Sequence, residues 1–207
     1  MSGPREHLIN SLIHEGLPRN AVLDAIRYTP RDQFVPERAR EQAWDNRPLG
    51  IGAGQTISQP YTVAVMLNLA ELRTGHRVLE IGSGSGYVLA LLAYLVGSGG
   101  QVTGVEREEE LYSRTRARLE ELNLRHVHLK KGDGRHGCPE RGPYDAIVVS
   151  AQTPEIPEAL FAQLAAGGRL VVPIDIGSYA SMTCARREED GSIRISRHGA
   201  FQFVPLR

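Results

Sequence analysis

The sequence predicts an α/β protein: a doubly wound, mostly parallel sheet, with helices ahead of it and a β-hairpin behind it. Three observations carry that expectation. Short apolar strands alternate with helices between residues 77 and 174, as in a parallel sheet covered on both faces. Helical periodicity before residue 29 gives way to a stretch broken by prolines and glycines. The tail, roughly 180–206, alternates about Asp190-Gly191, which predicts a hairpin. The 207 residues, 41% of them hydrophobic, suffice for one domain. It is read as 1–207, divided into an N-terminal segment (1–74), a core (75–175) and the hairpin (176–207).

Taken in order, residues 5–16 place Leu8, Ile9, Leu12 and Ile13 on one helical face, and Ala21 to Tyr28 forms a second short helix. From Thr29 to Gln59 only short elements are expected. Pro60 suits the first turn of a helix bearing Val63, Met66, Leu67 and Leu69, with Ser58 or Gln59 as its cap. Strands follow at 77–81, 101–106, 126–131, 144–150 and 169–174. Helices are expected between them at Tyr87–Val96, Glu108–Leu122 and Ile156–Ala165, the last stopped by Gly167-Gly168.

Composition excludes several classes. Lys+Arg and Asp+Glu both number 24, so there is no net basic field to attract nucleic acid. No apolar run approaches the ~20 residues of a membrane helix. The start, MSGPREHLIN, lacks the apolar centre of a secretory leader, and Cys138 and Cys184 form no CxxC pair. A cytoplasmic protein with reduced thiols and no membrane partner is expected, and a monomer. His126, His128 and His136 lack the companions of a metal site and are read as structural, so no metal is expected.

The turn EIGSGSG, Glu80 to Gly86, follows the first core strand and opens the next helix. Its glycines permit a tight turn and close approach of a ligand to backbone N–H donors. Glu106 ends the second strand, where a carboxylate can accept from ribose hydroxyls. Gly132-Asp133-Gly134 follows the third; Asp133 either accepts from an adenine amino group or forms an ordinary Asx turn. GxGxG lacks the third glycine spacing of the dinucleotide fingerprint. An acid before GxGxG, an acid after strand two and GD after strand three together resemble the class I S-adenosylmethionine-dependent methyltransferases. That resemblance implies a Rossmann-like fold. It places Glu80, Gly82, Ser83, Gly84 and Gly86 around the methionine part of the cofactor, Glu106 on the ribose, and Asp133 with Gly134 on the adenine. S-adenosylhomocysteine is then the product.

The stretch IGAGQTISQPY (51–61), preceded by PRDQFVP (30–36) and AWDNRPL (43–49), is similar to the protein-L-isoaspartate O-methyltransferase family. The similarity continues through LEIGSGSGY, PEIP (154–157), GGRLV (167–171) and FVPL (203–206), nearly the whole chain. It implies methyl transfer to the α-carboxyl of L-isoaspartyl residues in damaged proteins and peptides, which then close to a succinimide. A carboxylate with a pKa near ~4 needs no general base, so alignment should be the main catalytic device. The family's active-site serine falls on Ser58, whose alternative role is to cap the following helix. Thr56, Ile57 and Gln59 are expected along the substrate backbone, with Val204 and Leu206 at its rim. Gly52 and Gly54 would let the 51–61 loop close as a lid. Ser150-Ala151-Gln152-Thr153 and GSYASMT (177–183) depart from the family pattern. Two alternatives stay open: the same fold acting on another peptide or small-molecule carboxylate, and a non-catalytic adaptor that recognises isoaspartyl sites.

Overall fold

The computed structural model describes residues 3–206. Helices α1 (Pro4–His14), α2 (Ala21–Tyr28) and α3 (Pro60–Ala70) precede the sheet. A two-stranded hairpin, β1 (Leu49–Gly52) and β2 (Gln55–Ile57), lies between α2 and α3. The main elements are then β3 (Arg77–Ile81), α4 (Tyr87–Val96), β4 (Gln101–Glu106), α5 (Glu109–Glu121), β5 (Val127–Lys131), β6 (Tyr144–Val149), α6 (Glu158–Ala162), β7 (Leu164–Asp175), β8 (Ala180–Arg187) and β9 (Ile193–Phe201). The seven strands of the main sheet run in the order β5-β4-β3-β6-β7-β8-β9, parallel from β5 to β7 and antiparallel thereafter.

Alternation along the strands builds two cores. Val78 of β3 and Ala146 and Val148 of β6 face the core shared with α1 to α4. Leu79 and Ile81, with Ile147 and Val149, face the smaller core that includes Leu160 of α6. A period of two on a sheet buried on both faces is why these strands read as continuous apolar runs. Chain order reverses at β3: β4 lies on one side and β6 on the other. A crevice therefore opens at the carboxyl ends of β3 and β6, where open α/β sheets bind ligands.

One expectation is corrected here and two are made more definite. The helix expected over 156–165 is only Glu158–Ala162, and β7 begins at Leu164. Gln163 ends the helix: its side chain accepts from Cys138 N (2.8 Å) and donates to the carbonyls of His136 (2.9 Å) and Ala159 (2.8 Å). Leu164 then pairs opposite Tyr144 of β6 and pairing resumes at Arg169 opposite Ala146, so the Ala-Ala-Gly-Gly run between them is a bulge in the ladder and not the end of a helix. The tail hairpin is no annex. β8 is buried from Ala180 to Ala185 and pairs with β7 along its length, so of the two hairpin strands only β9 is an edge. The 51–61 stretch is no loose loop. Its first part is the β1–β2 hairpin, with Ala53 and Gly54 at positive φ, and Arg114 Nη1 of α5 donates to the Ile51 carbonyl at 3.0 Å.

Candidate active site

The turn after β3 is held from below and behind. Gly82, Gly84 and Gly86 have φ of 77°, 53° and 82°, where a side chain is strained. Gly82 N and Ser83 N donate to the Val105 carbonyl. The Glu106 carboxylate accepts from Gly84 N (2.7 Å), Arg107 N (2.8 Å) and Glu108 N (2.8 Å). Thr115 of α5 donates its hydroxyl to the Gly84 carbonyl at 2.7 Å. One carboxylate thus ties the turn to the end of β4 and to the start of α5. Beneath the turn, a Cβ on Gly104 would lie 2.5 Å from Ser83 Oγ and 2.8 Å from Leu89 Cδ2. That floor position was not read from the sequence.

Glu80 lies under the turn with 1% of its surface exposed. Ser150 Oγ, just past β6, donates to its Oε1 at 2.8 Å. Its Oε2 and the neighbouring Ser83 Oγ are buried without partners. Burial pushes the Glu80 carboxyl up to about 8; the Ser150 hydrogen bond opposes this and the Glu106 charge adds to it. Between the ordinary carboxylate value and about 8 the folded protein holds a proton that the unfolded chain has released. The stability linked to this group is therefore complete at low pH and is lost as pH rises towards 8. Wild-type protein should lose melting temperature relative to Glu80→Gln between pH 5 and 8. Parallel profiles of melting temperature against pH for the two proteins would reject this linkage.

Gly132 and Gly134 line the same crevice, but the Asp133 side chain turns away. It caps the short turn at Gly134–His136, accepting from Arg135 N at 3.0 Å, and pairs with the Arg135 guanidinium. That pairing pulls its carboxyl down to about 2. Of the two readings of this residue, the unliganded geometry is the Asx turn, and any adenine contact requires the carboxylate to be shared with or released by Arg135. The far wall is the tail. Gln152 N donates to the Val204 carbonyl and Leu206 N to the Gln152 carbonyl, both at 2.8 Å, which sets Val204 and Leu206 on the crevice. These are backbone bonds, so the unusual Ser-Ala-Gln-Thr segment performs this role whatever its side chains.

A second groove opens from the first, sharing Thr56, Ser150 and Val204. Its walls include Ser58, Gln59, Tyr61, Tyr179 and Phe203, and among the described residues no charged side chain lines it. Ser58 does not cap α3: Gln59 occupies the cap position, and neither side chain makes a capping bond. Instead Asn46 Oδ1 accepts from Tyr61 N at 3.0 Å, the first N–H of the helix after Pro60. The Ile57 side chain, 4% exposed, packs in the core and does not line the groove, which leaves only its backbone to lie along a substrate.

Across residues 3–207 the chain matches the family described as Protein-L-isoaspartate(D-aspartate) O-methyltransferase (PCMT). The chain belongs to this family. Among its relatives, the protein-L-isoaspartate O-methyltransferase of Pseudomonas fluorescens is 48% identical over 206 residues, 98% of this chain and 94% of that protein. That of Methanopyrus kandleri is 44% identical over 204 residues, 98% and 90% of the two chains. A solved protein-L-isoaspartate O-methyltransferase superposes with a TM-score of 0.87 at 30% identity; the match covers 97% of this chain and 65% of that one. A Plasmodium falciparum structure solved with S-adenosyl-L-homocysteine shares the fold, with a TM-score of 0.87 at 24% identity and coverage of 100% and 99%.

Apart from Asp133 and Ile57, the sequence-derived site residues of this isoaspartate methyltransferase fall into two sets. Gly82, Gly84, Glu106, Gly134, Thr56, Ser58, Gln59, Val204 and Leu206 line the crevice or the groove. Glu80, Ser83 and Gly86 support the turn from beneath and behind; a Cβ on Gly86 would stand 2.7 Å from Thr115 Cγ2. Gln55, Arg107, Glu108, Ser150 and Ala151 also line the crevice. Gln55 lay inside the most specific stretch, and Ser150 inside a departure from the family pattern, so both carried a signal. No helix among the described residues is long and apolar enough to cross a membrane. None of them forms a group of three or more His, Cys, Asp or Glu placed for a metal ion.

Proposed function

We propose that the protein transfers the methyl group of S-adenosylmethionine to the α-carboxyl of L-isoaspartyl residues in damaged proteins and peptides, with Ser58 holding the acceptor. The observation that carries this reading is the junction of crevice and groove: Thr56, Ser150 and Val204 belong to both. A ligand bound over the glycine turn therefore meets a peptide lying beside Ser58.

The crevice fits the cofactor chemically. Glu80 Oε2 and Ser83 Oγ are buried without partners, and a cationic amino group placed beside them would favour the ionised carboxylate that burial otherwise disfavours. Glu106 accepts three backbone donors and retains lone-pair capacity for ribose hydroxyls. Gly82, Gly84 and Gly134 present bare backbone to the crevice, and Asp133 would hold the adenine only if its carboxylate were released from Arg135. When bound, S-adenosylmethionine supplies a methyl carbon on a sulfonium. A carboxylate oxygen forms the new C–O bond as the C–S bond breaks, its electron pair staying on sulfur, so no proton moves. The residues need only orient: the Ser58 hydroxyl, which makes no capping bond, donates to the acceptor carboxylate, and Thr56 and Gln59 flank the peptide. The neutral groove supports partners of varied sequence, and the two free, buried cysteines support a reduced, cytoplasmic setting; the protein is read as a monomer.

The test is methyl transfer from labelled cofactor to two peptides differing only in L-isoaspartate or L-aspartate. Base-labile labelling of the isoaspartyl peptide alone is the expected result; equal labelling, or none, rejects the reading. Ser58→Ala removes a charge-assisted hydrogen bond of ~1.5–3 kcal/mol. Its kcat/KM should fall on the order of 10- to 100-fold with unchanged folding.

A further inference from the structure

Ser58 sits in a short segment fixed at both ends. Before it, Ile57 is anchored in the core; after it, both connections lead to one residue, Asn46. The Asn46 carbonyl accepts from Gln59 Nε2 at 3.1 Å, and its side-chain Oδ1 accepts from Tyr61 N at 3.0 Å. Its Nδ2 donates to both oxygens of Glu15, at 2.9 and 3.2 Å, at the end of α1. All the polar groups of the side chain are thus engaged, and only one orientation of the amide satisfies them: oxygen to the helix N–H, nitrogen to the carboxylate. The loop bearing Asn46 is itself pinned by buried Arg31, whose Nε donates to the Ala43 carbonyl at 2.9 Å and whose guanidinium lies 5.1 Å from the centroid of the Tyr87 ring.

A helix opening with proline still leaves N–H donors unmet, and a serine or threonine just ahead of it usually accepts one. Here a residue 15 positions away performs that task. The consequence is chemical. The hydroxyl of Ser58, relieved of capping, is available to a ligand, and its backbone is held by Asn46 through residues 59 and 61. We propose that Asn46 is a positioning residue for methyl transfer: it caps α3 from a distance and so fixes the Ser58 hydroxyl at the acceptor. This rests on the reading of Ser58 given above.

The experiment is a set of variants assayed with the isoaspartyl peptide, alongside S-adenosylhomocysteine binding and melting temperature. Asn46→Ala should lower kcat about tenfold while the dissociation constant of S-adenosylhomocysteine stays within about twofold. Added to Ser58→Ala, it should cost little more, because both act on one contact. Asn46→Asp keeps the acceptor for Tyr61 N but faces the Glu15 carboxylate, and should be impaired. In Asn46→Asp with Glu15→Gln, the donor and acceptor roles are exchanged and most of the lost rate should return. That recovery reads the bond itself, even where Asn46→Ala loses stability. A wild-type kcat in Asn46→Ala, fully additive losses with Ser58→Ala, or no recovery in the exchanged pair each overturns the proposal. If Ser58→Ala is impaired while Asn46→Ala is not, the acceptor reading survives and Asn46 alone is excluded. If Ser58→Ala is silent, both fall.

Discussion

Gly86→Ala should weaken S-adenosylhomocysteine binding by 100-fold or more and lower the melting temperature. Two costs coincide at this position. A φ of 82° is strained for any residue with a Cβ, at ~1–2 kcal/mol, and the added carbon would stand 2.7 Å from Thr115 Cγ2. Overpacking of this kind costs ~1–3 kcal/mol. The two can be separated, because Thr115 also donates its hydroxyl to the Gly84 carbonyl. Thr115→Ser removes the clashing methyl and keeps the hydroxyl. In the Gly86→Ala background it should recover the steric share and leave the strain. Isothermal titration of the single and double variants reads both parts; equal affinity in the two would mean that the clash is relieved some other way.

Glu106→Gln should be comparably damaging, although it changes one atom. Glu106 Oε2 accepts from Gly84 N while Oε1 accepts from Arg107 N and Glu108 N. An amide has one oxygen, so either orientation points an NH2 group at a backbone N–H. Losing a charge-assisted bond costs ~1.5–3 kcal/mol, and a buried donor left facing a donor adds a penalty of similar size. Cofactor affinity should therefore fall on the order of 100-fold or more. The global fold should persist, since none of the three N–H groups belongs to the strand pairing of β3 with β4. A binding isotherm and a far-ultraviolet circular dichroism spectrum together decide it. Wild-type affinity would mean that the carboxylate is not the turn's organiser.

How far the sequence announced these features depended on the range of the interaction. The helices Ala21–Tyr28 and Tyr87–Val96 and the strands Arg77–Ile81 and Gln101–Glu106 were legible residue for residue, because local periodicity and flanking glycines set their ends. The glycine turn and Glu106 were legible because close backbone approach demands those residue types. The end of the last helix is not legible because it is set by partners remote in sequence: the Gln163 side chain bonds Cys138 N and the His136 carbonyl, and Leu164 pairs opposite Tyr144. Asn46 passed unnoticed for the same reason: its partners are Glu15, Gln59 and Tyr61, and nothing local marks it as a cap. Gly104 carries no local signal of its place beneath the turn, since Ser83 and Leu89 crowd it only in the folded chain. At Asp133 both competing readings were visible, yet their balance turns on the rotamer of Arg135, which no sequence pattern fixes. Ser58 was singled out by resemblance, and the geometry adds why its hydroxyl is not spent on α3.

The absence of charge along the groove beside Ser58 also bears on how a substrate arrives. With no charged side chain among the described lining residues, the groove itself neither attracts nor repels a substrate by charge, and ionic strength should have little leverage on its hold there. Damaged sites arise in proteins of either net charge. A receptor that neither attracts nor repels by charge meets acidic and basic clients on equal terms and leaves discrimination to the short-range fit of the altered backbone.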